Sequence, residues 1–381
     1  MRVALIAESF LPHTNGVTHS LLRIIDYLSE RGHDAVVLTP QGRGGGGPDE
    51  YRGARIVRLP ALGWPGYPDV RVCTASTRKL GALLDSQSPD VVHLASPFML
   101  GWSAVKAAHA LGLPSVAVYQ TEVPSYASRY GAGWGEEFGW KRVRDIHAKA
   151  DRTLVPSSHA HAQLERLGIP RLHRWGRGVD ATRFSPTKRD PHLRAQWAPR
   201  GEVVVGYVGR LAAEKRVEDL TTLARAPGIR PVIVGEGPAR AELERALPHA
   251  IFTGFLDGED LAAAMATFDV FVHCGELETF CQTIQEAHAS GVPVVAPRRG
   301  GPVDLVEDGI TGRLFEPGDR AAFAAATRDV VNAPEWRARA GAHARVSVSG
   351  RTWDRVCDEL MGHYAAVMAA RPARTITGVT P

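Results

Sequence analysis

Short apolar runs alternate with amphipathic stretches along the chain. Residues 3–7 form an apolar run of strand length, and residues 16–29 follow with apolar side chains at helical spacing. Residues 35–38 form a second apolar run, which completes a strand–helix–strand unit. Because such a unit lays its two strands side by side in the same direction, the pattern predicts a parallel sheet.

The same pattern continues through the first half of the chain. We predict further strands at residues 91–94, 115–119 and 153–155, with a helix over residues 100–110 between the first two. Residues 42–48 contain four consecutive glycines, which are typical of a mobile surface loop outside the sheet.

A second series begins after a break around residues 177–189, where turn-forming and charged residues predict a linker. The strands predicted in this series are residues 203–207, 230–235, 251–253, 270–273 and 292–296. Two doubly wound α/β domains in tandem place the carboxyl ends of two parallel sheets across a cleft, where such sheets bind ligands.

The expected boundaries follow from these two series. We place the N-terminal domain at residues 1–180 and the C-terminal domain at residues 190–350. Residues 351–370 include an amphipathic stretch, 353–369, predicted to be a closing helix that packs back toward the N-terminal domain. Residues 371–381 have weak structural signals and are expected to be a disordered tail.

Composition narrows the class of protein. A chain of 381 residues suits two cores, and 44% hydrophobic with 23% charged residues is typical of a folded protein. A net charge of +4 is too small at this length to indicate nucleic-acid binding.

The cysteines and the apolar runs indicate where the protein works. The four cysteines form no C-x-x-C pair, so neither a zinc site nor a disulfide framework is expected, which fits a reducing cytoplasm. The N-terminal apolar run is too short for a signal peptide or membrane span, and no later run reaches eighteen apolar residues. We therefore expect a cytoplasmic protein whose membrane role, if it has one, is peripheral.

Two acids eight residues apart, Glu278 and Glu286, follow the strand predicted at residues 270–273. If a helix begins near Thr279 or Phe280, its free N–H groups face the cleft and suit a phosphate. Glu278 then lies at the mouth, where it can accept hydrogen bonds from sugar hydroxyls, and Glu286 lies about two turns along, within reach of a ribose. The alternative is that Glu278 is a helix-capping acid and Glu286 an exposed helical residue.

A second cluster follows the strand predicted at residues 203–207. Gly209 lets the backbone approach a ligand, and Arg210 and Lys215 bring two cations to the same loop, so a diphosphate is the expected partner. The alternative is a solvated basic loop in which Glu214 is the internal partner.

With these motifs the sequence resembles the retaining glycosyltransferases of family 4, which have the GT-B fold of two Rossmann-like domains. The resemblance covers nearly the whole chain. It rests on Glu278-x7-Glu286, Gly209-Arg210-x4-Lys215, Val234-Gly235-Glu236-Gly237-Pro238, Arg177-Gly178-Val179-Asp180, Gly300-Gly301-x2-Asp304 and Asp308-Gly309-x-Thr311-Gly312.

The resemblance implies roles for these residues. Arg210 and Lys215 would hold the donor phosphates and stabilise the leaving nucleoside diphosphate. Glu278 would hold the transferred sugar and Glu286 the ribose. The backbone N–H groups around Phe280 and Cys281 would complete the phosphate cradle. Gly235, in the motif at residues 234–238, would also lie at the donor site.

The resemblance implies that residues 190–350 bind the nucleotide sugar and that residues 1–180 bind the acceptor and supply the opposite wall. Gly16 matches the family's glycine-containing first loop, although Asn15 stands where relatives often have another glycine; locally, Asn15-Gly16 is also compatible with a simple turn. Gln120 occupies the place of a histidine that many relatives put near the reacting sugar. Because glutamine cannot transfer protons, a hydrogen bond to the sugar is the role expected there.

The acceptor side is marked more weakly. Glu122 is a carboxylate able to contact an acceptor hydroxyl, and Tyr126 lies nearby in the sequence. The alternative for Glu122 is a loop acid that caps a helix near Tyr126.

The stretches 8–17, 119–126 and 278–282 look most like actinobacterial GDP-mannose-dependent α-mannosyltransferases that build glycolipids, and sulfolipid synthases are similar in the same stretches. The resemblance therefore implies transfer of a hexose, mannose from GDP-mannose, to a glycolipid or glycan hydroxyl. It implies no cofactor and no metal, since cations and a helix terminus neutralise the diphosphate and no Asp-x-Asp motif is present. The alternatives are a UDP-sugar-dependent transferase of glucosyl or sulfoquinovosyl type, a nucleotide-sugar 2-epimerase and a non-catalytic binder. A dehydrogenase is disfavoured because neither first loop has G-x-G-x-x-G.

Residues 129–149 combine several cations with four aromatic residues. Such a surface can dock on an anionic membrane. The alternative is an ordinary solvated helix with a few core aromatics. The residues are Arg129, Tyr130, Trp134, Phe138, Trp140, Lys141, Arg142, Arg144 and Lys149.

Overall fold

The computed structural model describes residues 1–42, 46–64, 67–122, 134–224 and 226–371. Part of the predicted loop at 42–48, nearly all of the predicted tail, Tyr126, Arg129 and Tyr130 lie outside these ranges. Within them, the strands form an eight-stranded sheet, a six-stranded sheet and a two-stranded hairpin.

The eight-stranded sheet is built by the first half of the chain. Its spatial order is β10, β9, β8, β7, β1, β2, β4 and β3, and every pair is parallel except β3 with β4. The strands are β1 Arg2–Ala7, β2 Asp34–Pro40, β3 Glu50–Tyr51, β4 Ala54–Leu59, β7 Val91–Ala95, β8 Ser115–Val118, β9 Arg152–Val155 and β10 Leu172–Arg174; β5 Ala61–Trp64 and β6 Tyr67–Cys73 form the antiparallel hairpin.

Helices cover both faces of this sheet, which is why its central strands are apolar on both sides. In β1, Val3 lies opposite Ala35 on one side and Val91 on the other. The helices of this half are α1 Gly16–Glu30, α2 Thr77–Gln87, α3 Met99–Ala110, α4 Trp134–Lys149 and α5 Ser158–Arg166.

The six-stranded sheet is parallel throughout, in the order β13, β12, β11, β14, β15, β16. Its strands are β11 Val203–Val208, β12 Ile229–Val234, β13 Ile251–Gly254, β14 Val270–Val272, β15 Val294–Pro297 and β16 Gly312–Phe315. Its helices are α6 Pro191–Trp197, α7 Arg240–Ala246, α8 Gly258–Thr267, α9 Gln282–Ala289, α10 Pro302–Leu305, α11 Arg320–Val331 and α12 Pro334–Val348, with 3-10 turns at Pro186–Lys188, Ala213–Lys215 and Val217–Leu223.

The last helix, α13 (Trp353–Ala369), returns to the first sheet. Val356, Leu360 and Val367 are buried in the same core as β1 and α1, and the hydroxyl of Tyr364 lies 2.7 Å from Nδ1 of the buried His93 on β7. A helix from the end of the chain thus completes the core of the first half.

Both sheets reverse their winding beside a central strand. The chain builds β1, β2 and β4 outward and then returns to β7 on the other side of β1; likewise it returns to β14 beside β11. In doubly wound sheets these reversal points open a crevice at the carboxyl ends of the strands. The loops after β1, β8, β11 and β14 carry the candidate site residues.

Candidate active site

Lys215 and Glu278 meet although they are 63 positions apart. The Lys215 ammonium donates a hydrogen bond to Oε1 of Glu278, and both side chains are largely shielded from solvent. The same oxygen lies 3.5 Å from Nε2 of His273, a buried residue directly after β14. Glu278 is therefore held between two nitrogen groups.

These neighbours decide the charge of Glu278. Burial alone would raise its pKa, but Lys215 and His273 outweigh burial and hold the pKa below its ordinary range. For His273, burial by itself would lower the pKa. Cys281 and then Glu278 outweigh burial and raise the pKa of His273 to about 10. The site thus keeps an ionised carboxylate beside cationic partners, ready to accept hydrogen bonds from hydroxyls.

The helix after this segment starts later than predicted. It begins at Gln282 instead of Thr279 or Phe280, because Cys281 adopts a left-handed conformation (φ 76°) that helical residues do not share. The free N–H groups therefore belong to Gln282 and the residues after it. Glu286 lies just over one turn into α9, in place of the expected two.

Phe280 and Cys281 lie in a segment held by the loop at Gly300-Gly301. The Gly301 N–H donates to the carbonyl of Glu278 over 2.7 Å, and a Cβ on Gly301 would lie 2.0 Å from the carbonyl oxygen of Phe280. Only glycine lets the two backbones approach this closely. The glycine pair thus fixes the backbone that carries Glu278.

Glu286 is half-buried on α9, and burial raises its pKa to about 8 against the opposing effects of Gln282, Arg183 and Arg177. The unliganded site therefore favours the protonated acid near neutral pH. A ribose diol could receive a hydrogen bond from this form or donate to the ionised one.

Arg210 and Gly209 lie directly after β11. The Arg210 side chain is 59% exposed, and its Nη1 lies 3.8 Å from Oε1 of Glu214. For Arg210, this matches the alternative of a solvated loop in which Glu214 is the internal partner. Gly235, directly after β12, packs against this loop with φ 133°, and a Cβ there would lie 2.0 Å from the Gly209 carbonyl oxygen. The two loops therefore form one backbone surface, beside which the exposed Arg210 side chain lies.

Arg177 joins the two halves of the site. Its guanidinium is buried and donates from Nη2 to Oε1 of Gln120 over 2.6 Å. A Cβ on Gly16, the first residue of α1, would lie 3.1 Å from its Nη1. Burial lowers the pKa of Arg177 to about 10, although Glu278 and Glu286 favour its charged form. Arg177 remains a cation at neutral pH.

Asn15 acts as the N-cap of α1, accepting from the N–H groups of Val17 and Thr18 at 3.0 and 2.9 Å. Gly16 therefore begins a helix, and the alternative of a simple turn with positive φ at Asn15-Gly16 is wrong. Asn15, where relatives often have glycine, stabilises the helix end that faces Arg177.

Glu122 is buried and lies near His159. Burial lowers the pKa of His159, and Glu122 opposes this effect. Tyr126 lies outside the described residues, so the alternative of a helix capped near it stays open.

Asp304 links the two halves at a second place. Its Oδ2 accepts from the Ser158 N–H at 2.5 Å and from Arg174 at 3.2 Å, both in the first half of the chain. These contacts hold the loop around Gly301 against α5.

Two residues of the site were missed by sequence reasoning. His273 was treated only as a strand end, and Arg177 only as part of a motif. Each had a usable signal: His273 lies at the carboxyl end of a parallel strand, and Arg177 is a charge flanked by glycines beside the linker.

Across the described ranges, no cluster of three or more His, Cys, Asp or Glu residues could hold a metal ion. In the same ranges no helix has both the length and the apolar character needed to cross a bilayer.

Known protein families match both halves of the chain. Residues 14–183 match the family described as Glycosyltransferase Family 4, and residues 189–347 match Glycosyl transferases group 1. A protein of Mycolicibacterium smegmatis named GDP-mannose-dependent alpha-mannosyltransferase is 50% identical over 98% of this chain and 100% of its own length. The chain belongs to these glycosyltransferases. The resemblance inferred from the motifs is therefore confirmed.

Other relatives of this glycosyltransferase widen the comparison. A protein of the same name from Mycobacterium tuberculosis is 47% identical over 97% of this chain and 98% of its own length. The sulfoquinovosyl transferase SQD2 of Arabidopsis thaliana is 33% identical over 92% of this chain and 71% of its own.

Solved structures support the fold of the glycosyltransferase. Sucrose-phosphate synthase from Thermosynechococcus elongatus superposes with a TM-score of 0.81 at 21% identity, covering 97% of this chain and 99% of its own. Anabaena Alr3699/HepE in complex with UDP-glucose gives 0.76 at 18% identity, covering 96% and 100%. The GT-B fold with two parallel-sheet units is confirmed.

Proposed function

We propose that this glycosyltransferase moves mannose from GDP-mannose to a hydroxyl of a glycolipid or glycan, with retention of the anomeric configuration. The observation that carries the proposal is the pairing of Lys215 with Glu278 at the reversal point of the second sheet. It combines a cation for a diphosphate with an ionised carboxylate for a sugar. The choice of GDP-mannose is supported by the names of relatives 43–50% identical.

Each part of the donor has a proposed partner. Lys215 and Arg210 bind the diphosphate together with the N–H groups at the start of α9, and Glu278 accepts from sugar hydroxyls. Glu286 binds the ribose, and Gln120 contacts the sugar from the opposite wall. On donor binding, Lys215 would be shared between Glu278 and a phosphate oxygen.

The proposed reaction takes place on one face of the sugar. The bond between the anomeric carbon and the phosphate oxygen breaks as the acceptor oxygen bonds to that carbon, and the acceptor proton passes to the leaving phosphate. Lys215 and Arg210 stabilise the negative charge that develops on this phosphate. No side-chain base is required, which agrees with glutamine at position 120.

We propose that transfer needs no divalent metal and no cofactor, because these cations and a helix terminus can neutralise the diphosphate. Activity should be unchanged after EDTA treatment. Loss of transfer that only a divalent ion restores would overturn this part of the proposal.

A titration with GDP and UDP tests the donor, followed by transfer and hydrolysis assays with the matching sugars. We expect tighter binding of GDP and turnover of GDP-mannose. Clearly tighter UDP binding would instead favour the UDP-sugar alternative, for which the likeness to a sulfoquinovosyl transferase is the specific observation. Conversion of donor alone into a new nucleotide sugar would indicate an epimerase, and binding without turnover a sensor.

We also propose that the protein works in the cytoplasm at an anionic membrane face, through a surface on α3 and α4. Phe138 is 53% exposed, and Arg142 stacks on both Phe138 and Trp102. The Lys106 ammonium also lies over the Trp102 ring, 3.2 Å from its centre. An exposed aromatic ring surrounded by cations suits anionic headgroups.

Sedimentation with vesicles tests this surface. The protein should bind vesicles that contain anionic lipid better than neutral ones, and Phe138→Ser should weaken binding. Phe255→Ser is the matched control, since Phe255 is similarly exposed on the other half at 66%. Binding that does not depend on anionic lipid would contradict the surface.

A further inference from the structure

Both carbonyl oxygens of Gln120 are occupied. Its side-chain Oε1 accepts from Arg177 over 2.6 Å, and its main-chain oxygen accepts from the Thr279 hydroxyl over 2.6 Å. A guanidinium has only donors, so the amide must turn its oxygen toward Arg177 and its Nε2 away. The orientation of this amide is therefore dictated by its neighbour.

The Nε2 of Gln120 is left without a partner among the described residues, although it is buried. A buried donor without an acceptor costs free energy, which an acceptor oxygen from a ligand removes. The structure thus presents a fixed hydrogen-bond donor that lacks its acceptor.

The position of Gln120 selects the sugar as the source of that acceptor. Thr279, which holds the backbone of Gln120, directly follows Glu278, the carboxylate proposed to bind the sugar. Arg177 interacts electrostatically with Glu278 and Glu286. Gln120 therefore lies next to the sugar end of the donor site.

Arg177 is itself held by the second half of the chain. Its carbonyl oxygen accepts from Nε2 of Gln285 over 3.0 Å, and the Gly178 carbonyl accepts from Gln282 over 3.1 Å. Both donors lie on α9, the helix that carries Glu286. The direction of the Gln120 amide is thus set from the donor-binding side of the cleft.

We propose that Arg177 is a positioning residue that fixes the Gln120 amide so that Nε2 donates to a hydroxyl oxygen of the transferred sugar. The inference rests on the proposed transferase function and adds a specificity role for a residue pair that Gln285 and Thr279 of the second half hold in place. Arg177 acts through Gln120 and does not itself contact the reacting atoms.

A double-mutant cycle of Gln120→Met and Arg177→Met tests the coupling. With GDP-mannose, Gln120→Met should lower kcat/KM about tenfold in the wild-type background but at most about threefold in the Arg177→Met background, since the amide is then no longer oriented. Equal losses in the two backgrounds would overturn the inference.

Gln120→Glu keeps the test valid if Arg177→Met fails to fold. Its carboxylate still accepts from Arg177 but offers no donor at the position of Nε2. We expect a loss of about tenfold or more in kcat/KM, with GDP affinity changed by less than about threefold. Wild-type kcat/KM in Gln120→Glu, or an equal weakening of GDP binding, would contradict the role on the sugar.

Donor analogues that each lack one sugar hydroxyl identify the acceptor. With the analogue that lacks the hydroxyl bound by Gln120, Gln120→Met and the wild type should have equal kcat/KM. If Gln120→Met lowers kcat/KM by the same factor with every analogue, the inference is overturned but the proposed transferase function is not. If the wild-type protein turns over no nucleotide sugar, the proposed function fails first, and the inference falls with it.

Discussion

At the scale of single residues, the site is governed by how buried charges are compensated. Glu278 is kept ionised by Lys215 and His273, whereas burial outweighs Gln282, Arg183 and Arg177 at Glu286 and raises its pKa to about 8. Two carboxylates eight residues apart in the sequence thus have opposite preferences. This difference suits Glu278 to accept hydrogen bonds from sugar hydroxyls and the protonated Glu286 to donate a hydrogen bond to a ribose oxygen.

Glu278→Gln should separate sugar recognition from nucleotide binding. It removes the charged acceptor and should lower kcat/KM for GDP-mannose about 10- to 100-fold. GDP affinity should be unchanged or higher, because Lys215 is released for the phosphates. Steady-state kinetics and calorimetry measure the two effects. Equal losses in both would place Glu278 on the nucleotide instead.

Glu286→Gln should change how stability depends on pH. The folded pKa, about 8, lies above the ordinary value of 4.5, so the fold favours the protonated acid. This contribution is full below pH 4.5 and is lost as the pH rises through 8. Glutamine cannot ionise, so the Tm of Glu286→Gln relative to wild type should rise by about 2–4 °C between pH 6 and 9.

Glu242→Gln is the control for that measurement, since it makes the same change at an exposed position of α7. A Tm difference for Glu286→Gln that does not vary with pH would show that burial does not raise the pKa of this carboxyl.

At the scale of elements, the site depends on loops that touch after neighbouring strands. Periodicity predicted ten of the strands and the helix α1 to within two or three residues, because the apolar runs and the amphipathic spacing are local signals. It placed the start of α9 too early, since the left-handed Cys281 is imposed by packing against Gly301. The hairpin β5–β6 and the strands β3, β4, β10 and β16 were not predicted from the sequence.

Gly235→Ala should destabilise the second half of the molecule. Its Cβ would lie 2.0 Å from the Gly209 carbonyl oxygen, and the positive φ adds strain. We expect the free energy of unfolding to fall by about 2–3 kcal/mol, measured by denaturant titration.

The matched control is Gly228→Ala, where φ is also positive (72°) but no atom lies within 4 Å of the new Cβ. It should cost about 1 kcal/mol from backbone strain alone. Equal effects of the two substitutions would show that contact between the loops after β11 and β12 contributes little.

At the scale of the whole molecule, polar contacts join the two halves beside the donor site. Among the described residues, Thr279 with Gln120 is one such contact, and Asp304 with Ser158 and Arg174 is another. A donor site with one wall in each half exists only while they are together. The stability of these contacts therefore sets how often the site is complete.

Asp304→Ala should weaken the enzyme although Asp304 has no proposed contact with the donor. Loss of two charge-assisted hydrogen bonds at a partly exposed position should lower kcat/KM roughly three- to tenfold through a smaller closed population. Small-angle scattering should show a larger radius of gyration. Asp329→Ala, an exposed position on α11, should change neither. Unchanged kinetics in Asp304→Ala would mean that this contact does not control closure.

The sequence by itself determined ten of the strands, the division into two α/β series and the family, because these follow from local periodicity and short motifs. It also named Lys215, Glu278 and Gln120 one at a time. Only the tertiary structure decided that Lys215 and His273 share one oxygen of Glu278, and that Arg177 turns the amide of Gln120. Pairings across 63 and 57 positions, and the burial that shifts pKa values, arise only when distant segments are packed together.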